Sequence, residues 1–260
     1  MGRKELKELS RNNLISAVAD IRRLGVGEGS SWFQSYLDRS IETVGHQAKV
    51  CAKLKTMHLG VPTSFADIGS APFVLPYLLR KHKIFKDVVA FDIDPFRYEN
   101  VSKFSFPIHE LDIEKELDIS RTFDIIYFSH IFEHLRKDLV LTMDNLKSLM
   151  DENSLLYIET PNGLGLKTFR NMIQKGATTG CASDLYEEWS KIQFLQHMGH
   201  VREYGKGELI TFFDKVGLKV ETAGYVDNIS PTNFTKMMAY VLQNFLPFLK
   251  NNLYFILSKK

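Results

Sequence analysis

The chain has 260 residues with 33 Lys and Arg against 31 Asp and Glu, a formal net charge of +2. At 44% apolar and 25% charged residues it has the make-up of a folded globular protein, which excludes long disorder and coiled coil. A charge so close to zero supplies no whole-protein field for a polyanion, so duplex nucleic acid is not expected as a partner. Cys51 and Cys181 are the only cysteines, far apart and outside any C-x-x-C pair, which argues against a disulfide framework or zinc ribbon and fits a reducing compartment. Met1 to Lys7 is charged with no apolar run after it, so no secretory signal is read. The most apolar stretch, Met237 to Leu257, is interrupted by Gln243, Asn244, Pro247, Lys250, Asn251 and Asn252, too polar to cross a bilayer. The expectation is a soluble, cytoplasmic protein whose oligomeric state stays open, with a homo-oligomer compatible.

In chain order, residues 1–60 read as helices. Leu6, Leu9, Ile15, Val18 and Ile21 recur at helical spacing, and Phe33, Leu37, Ile41, Val44, Ala48 and Cys51 form a cleaner stripe. From Ser64 the texture changes to short apolar runs: Ser64 to Ile68, Val88 to Phe91, Phe106 to Leu111, Phe123 to Phe128 and Ser154 to Ile158. Amphipathic segments such as Val74-Leu75-Leu78-Leu79 and Leu139-Leu141-Leu146-Leu149 lie between them. Strands alternating with helices imply βαβ units and a parallel sheet with ligands at the strands' carboxyl ends. After Pro161-Asn162-Gly163 an irregular stretch to about residue 200 contains Trp189 and Phe194. A helix from Glu208 to Val216 stopped by Gly217, a strand Leu218 to Thr222 and a last strand Leu253 to Leu257 follow. The expected organisation is an N-terminal helical cap over 1–60 and one domain over 61–260, with an acceptor-site insertion at about 164–200.

Three of the expected strands end in an acid. The first runs into Asp67-Ile68-Gly69-Ser70-Ala71-Pro72, where a glycine allows close backbone approach and the following helix start favours a negative group. Asp92, 25 positions after Asp67, is placed to accept from ribose hydroxyls. Asp112 ends the third run, placed to reach an exocyclic amine. Together they suggest an adenosine ligand. No G-x-G-x-x-G or G-x-x-x-x-G-K-[ST] occurs, and Pro72 removes a donor from the loop, so a pyrophosphate or triphosphate is disfavoured and a phosphate-free nucleoside carrying its own cation fits better.

With these residues, roughly 62–257 resembles the class I S-adenosylmethionine-dependent methyltransferases. The Asp67 loop looks like their first motif, and Phe123 to Leu135 is similar to the fourth-strand signature of small-molecule members. Leu155 to Asn162 resembles their fifth strand, and His200 to Tyr204 a later segment over the acceptor site. The resemblance implies an α/β fold: a Rossmann-like, doubly wound, seven-stranded sheet, mostly parallel with an antiparallel last strand, plus the N-terminal cap. It assigns S-adenosyl-L-methionine to Asp67, Gly69, Ser70, Ala71, Asp92, Ile93, Asp112, Ile113 and Ser129. Phe73 departs from the pattern of further glycines; its ring either crowds the methionine moiety or turns into the helix–sheet interface.

His130-Ile131-Phe132-Glu133-His134 fits H-x-x-E-H, but it follows a strand directly, which does not suit the helical zinc-peptidase motif. In ubiquinone-pathway O-methyltransferases and small-RNA 2′-O-methyltransferases, E-x-x-E-H at this place binds a divalent metal. The match is Glu133 and His134, with His130 in place of the first Glu and His200 downstream. Three imidazoles and a carboxylate favour Zn, Mn, Fe or Co over Mg; in the alternative, Glu133 and His134 only order the backbone. The expected activity is O-methylation of a small molecule or saccharide, with His134, His200 and Glu133 as the catalytic candidates. An RNA 2′-O-methyltransferase using a metal, and a cofactor-binding protein without transfer activity, are the competing readings. Phe245, Leu246, Phe248 and Leu249 beside Lys250 are read as a final helix packed on the sheet rather than as a membrane contact.

Overall fold

The apolar runs become strands because each can bury both faces once helices cover a parallel sheet. The computed structural model describes residues 11–176, 186, 190, 199–227 and 234–260; Cys181, Trp189 and Phe194 lie outside them. The elements are α1 (Arg11–Arg23), α2 (Ser31–Met57), β1 (Ser64–Ile68), α3 (Val74–Lys81), β2 (Asp87–Asp92), β3 (Ile108–Glu110), β4 (Ile125–Ser129), α4 (Leu139–Ser148), β5 (Leu155–Pro161), α5 (Leu166–Lys175), α6 (Lys206–Lys215), β6 (Leu218–Val226), α7 (Phe234–Phe245) and β7 (Asn252–Lys259). The sheet has seven strands in the order β3-β2-β1-β4-β5-β7-β6. β7 runs antiparallel to both β5 and β6, whereas β1, β2 and β3 are parallel. The seven-stranded, mostly parallel, Rossmann-like sheet with its antiparallel last strand is thus observed. Among the described residues, no helix is long and apolar enough to cross a membrane.

The chain divides into two compact units, Met1–Tyr127 with Leu146–Leu155, and Phe128–Asn145 with Leu156–Lys260. In the first, β1 and β2 pair from Ser64↔Asp87 to Ile68↔Phe91, which brings Asp67 and Asp92 to neighbouring carboxyl ends. β3 starts at Ile108, later than the apolar run suggests, because Pro107 has no N–H to donate; its carbonyl accepts from Ala90 instead. The side chain of Ser30 caps α2 by accepting from Phe33 N–H. Along α1 the inward face is Ala17, Val18 and Ile21, while Ile15 is exposed.

In the second unit, the Glu208 carboxylate accepts from Gly205 N–H at 2.7 Å and starts α6. Gly217, at φ +82°, ends it in the left-handed region that favours glycine. β6 continues to Val226, past the expected Thr222, with a register shift between Val220 and Thr222 that leaves Glu221 out of the ladder. Phe132, Phe213 and Phe255 fill the interior beside it.

Candidate active site

In the first unit, the chain leaves β1 through Gly69, at φ +73°. The N–H groups of Gly69 and Ser70 both donate to Phe91 O, at 2.8 and 3.0 Å. This folds the turn back onto β2. Ser70 Oγ donates to Asp67 Oδ2 at 2.8 Å, and Ala71 N–H donates to Asp92 Oδ2 at 2.9 Å. The two carboxylates therefore hold both sides of the Gly69–Ala71 turn. Both are buried. Burial pushes Asp67 up to about 7; the Ser70 hydrogen bond opposes this and the charge of Asp92 adds to it. Asp92 is also raised by burial, against the pull of the Ala71 amide.

Ile93 follows half-buried. Asp112 lies two residues beyond β3, where Oδ1 accepts from Glu114 N–H at 3.1 Å and Oδ2 is 3.3 Å from Lys115 Nζ. Ile113 beside it is buried. Phe73, in a left-handed conformation at the head of α3, is fully buried with its ring against Phe33, Tyr98 and Phe104. Its ring belongs to the aromatic core of this unit.

In the second unit, Ser129 ends β4 half-buried, and a 3₁₀ turn over Phe132–His134 follows at once. Glu133 is 1% exposed and lies at the centre of a polar cluster. Thr160 Oγ1 donates to its Oε2 at 3.0 Å. Its Oε1 lies 3.3 Å from His130 Nδ1 and 4.0 Å from Nε2 of both His134 and His200. Backbone geometry holds the segment 199–202 here: Val201 N–H donates to Glu133 O at 2.7 Å, and His134 Nδ1 is 3.1 Å from Gly199 O. His200 Nδ1 is 2.9 Å from Glu203 Oε1, whose other oxygen accepts from Thr168 Oγ1 at 2.7 Å.

Burial alone would raise Glu133, but the His130 hydrogen bond and the three imidazoles pull it down to about 2. For His130 burial acts downward, and the bonds and charges of Glu133 and Glu159 override it, lifting the ring to about 10. His130, at φ +58°, keeps 46% of its side chain exposed while Nδ1 faces Glu133 and Nε2 faces Glu159. Both nitrogens are thereby committed to carboxylates.

One ligand atom each from Glu133, His134 and His200 lies within 4.8 Å of the others. With Nδ1 of His200 facing Glu203 and Nδ1 of His134 facing a carbonyl, each ring directs Nε2 toward Glu133, an orientation that carboxylate and carbonyl partners impose on metal-binding imidazoles. Sequence reading passed over Glu159 and Glu203. Glu159 accepts from Tyr157 OH at 2.6 Å and from Asn252 Nδ2 at 3.3 Å. Its signal was a charge inside an apolar strand; that of Glu203 was a carboxylate three residues after a histidine.

A family model described as a methyltransferase domain matches residues 43–223. The chain belongs to this methyltransferase-domain family. No curated protein matches the chain. Among solved structures, this methyltransferase domain is similar to a chain in the complex between the Haloferax volcanii Trm112 methyltransferase activator and its methyltransferase, with a TM-score of 0.60 at 15% identity, over 89% of this chain and 95% of that one. The plantazolicin methyltransferase BamL, solved with a triazolic desmethylPZN analog and SAH, gives 0.56 at 14% identity, over 95% and 98%. An S-adenosylmethionine dependent methyltransferase from Mesorhizobium loti gives 0.52 at 10%, over 80% and 96%. At these identities the likeness is one of fold.

Proposed function

We propose that this methyltransferase domain uses S-adenosyl-L-methionine to methylate an oxygen atom of a small molecule or saccharide. The observation that carries the reading is the pair Asp67 and Asp92, buried on either side of the Gly69–Ala71 turn. Two buried carboxylates raised by burial are suited to a ligand that brings hydroxyl donors and a positive charge, since such a ligand supplies the partners that water supplies elsewhere. Asp92 would accept from the ribose hydroxyls, and Asp67 with Gly69, Ser70 and Ala71 would line the remainder, together with Ile93, Asp112 and Ile113. When bound, S-adenosylmethionine supplies an electrophilic methyl group on a sulfonium.

The chain's own contribution is to hold the acceptor oxygen in line and to manage its proton. Such positioning accounts for about 7–11 kcal/mol of barrier lowering in favourable cases. His200, fixed by Glu203, is the preferred base, with His134 beside it. His130 is left out of that role because its pKa of about 10 keeps it protonated at neutral pH. In a metal-dependent form of the reading, Glu133, His134 and His200 would instead hold a divalent cation through those same nitrogens, and the cation, by lowering the pKa of a coordinated hydroxyl, would take the place of the histidine base; the His₂-carboxylate set suits Zn, Mn, Fe or Co.

Incubation with methyl-labelled S-adenosylmethionine and separate metabolite, saccharide and RNA fractions, followed by NMR mapping of the label, tests the reading. Label on an oxygen of a small molecule or saccharide is the expected result. Label on nitrogen or carbon, or in RNA alone, contradicts it.

A further inference from the structure

Two helices of the second unit carry their apolar side chains on the outside. In α7, at 100° per residue, Met237, Met238, Tyr240, Val241, Leu242 and Phe245 span a sector about 200° wide, and all six are exposed. The inward side offers Ala239 and Gln243; Gln243 is 2% exposed and donates through Nε2 to Leu249 O at 3.1 Å. α5 repeats the inversion, with Thr168 and Asn171 buried and Phe169, Met172 and Ile173 exposed. The residues expected from sequence to pack on the sheet are exposed too: Phe245, at the end of α7, at 81%, and Leu246 and Phe248 after it at 40% and 46%. The start of α5 and the segment after α7 are tied together. Asn162 Nδ2 donates to Phe248 O and Lys250 O at 2.8 and 2.7 Å, and Lys167 N–H donates to Asn251 Oδ1 at 3.2 Å. Each helix presents an apolar face of a kind that water-soluble monomers rarely expose.

Charge decides what covers it. α5 carries Lys167, Arg170 and Lys175, all exposed, and no acid, and the turn after α7 leads into Lys250; an acid near them is Asp227, which accepts from Asn251 Nδ2 at 3.1 Å. Apolar helix faces whose neighbouring charges among the described residues are mostly basic match an anionic lipid surface. A second copy of the same face would bring like charges together. We propose that α5, α7 and the Pro247–Leu249 turn dock the protein on an anionic bilayer surface, lying on it rather than crossing it. α5 also carries Thr168, which donates to Glu203 and so reaches His200. On the reading under Proposed function, the acceptor is then an amphiphile whose oxygen-bearing head group is presented at that surface.

Flotation of the full chain with vesicles of phosphatidylcholine plus phosphatidylglycerol, against phosphatidylcholine alone, tests the docking without any methyl transfer. The expected result is flotation with the anionic vesicles only, reduced by salt. Joint Phe245→Ser and Phe248→Ser exchange is expected to weaken binding about tenfold or more, and joint Lys167→Gln and Arg170→Gln about tenfold. Unaltered circular-dichroism melting shows that these exposed-site variants fold. Absence of flotation by the folded wild type overturns the proposal. So does a concentration-dependent dimer that the Phe245→Ser exchange dissociates, since the face is then an interface between copies. Neither outcome touches cofactor binding, which calorimetry reads separately.

Discussion

The two candidate sites handle buried charge in opposite ways. In the first unit, Asp67 and Asp92 are buried with hydroxyl and amide partners, Ser70 Oγ and Ala71 N–H, and both are raised. In the second, Glu133 is as deeply buried but faces three imidazoles and is lowered to about 2. Buried carboxylates thus titrate in opposite directions according to what faces them. On the proposed reading, the first arrangement would receive the donors of the cofactor. The second is already neutralised in part, and His134 and His200 direct the nitrogens not held by Gly199 and Glu203 toward one carboxylate.

The sharpest break between the units concerns what holds the turn after β1. Phe73→Ala empties an aromatic core position and is expected to cost about 3–5 kcal/mol in urea denaturation. Unchanged stability with tighter S-adenosylhomocysteine binding would mean that the ring obstructs the ligand. Next, Glu133→Gln removes the charge that the histidines share, and affinity for Zn or Mn, measured by calorimetric titration, is expected to fall about a hundredfold. Equal metal affinity would assign the cluster a structural role alone.

Asp67→Asn sharpens the contrast through pH. The Asp67 pKa is raised from 3.8 to about 7, so the folded state holds a proton that the unfolded chain has lost. Its contribution therefore decreases as pH rises between about 4 and 7. The Asn variant is spared this and should gain about 2 kcal/mol relative to wild type between pH 5 and pH 8. A stability difference constant with pH would show that Asp67 is ionised in the free protein. The smallest effect is expected for Glu203→Gln: a metal-affinity loss of about tenfold, partly restored by Glu203→Asp, because the residue acts by orienting His200.

The strands were legible because each is a run of apolar residues with no competing period, and all seven expected runs contain a strand. Their ends were less so. Pro107 shortened β3, and β6 extended beyond Thr222 because β7 lies alongside it. Asp67 and Asp92 stood out as acids closing apolar runs, whereas Asp112 lies past β3 in a turn held by Glu114 N–H. Glu203 could not be linked to Thr168, nor His200 to Glu133, from sequence, since the return of residues 199–204 over Glu133 is a long-range event. The helical periodicity of α5 and α7 was present in the residues, but a stripe does not say which way it faces. Only the buried Thr168, Asn171 and Gln243 reveal that.

The central claim is that the acids closing β1 and β2 bind S-adenosylmethionine. Calorimetric titration of wild type and Asp92→Ala with S-adenosylhomocysteine, on samples with matching circular dichroism, tests it most directly. Loss of hydrogen bonds to a charged acceptor predicts binding at least about thirtyfold weaker in the variant. Equal affinity in the two proteins, or no binding by wild type, would contradict the account.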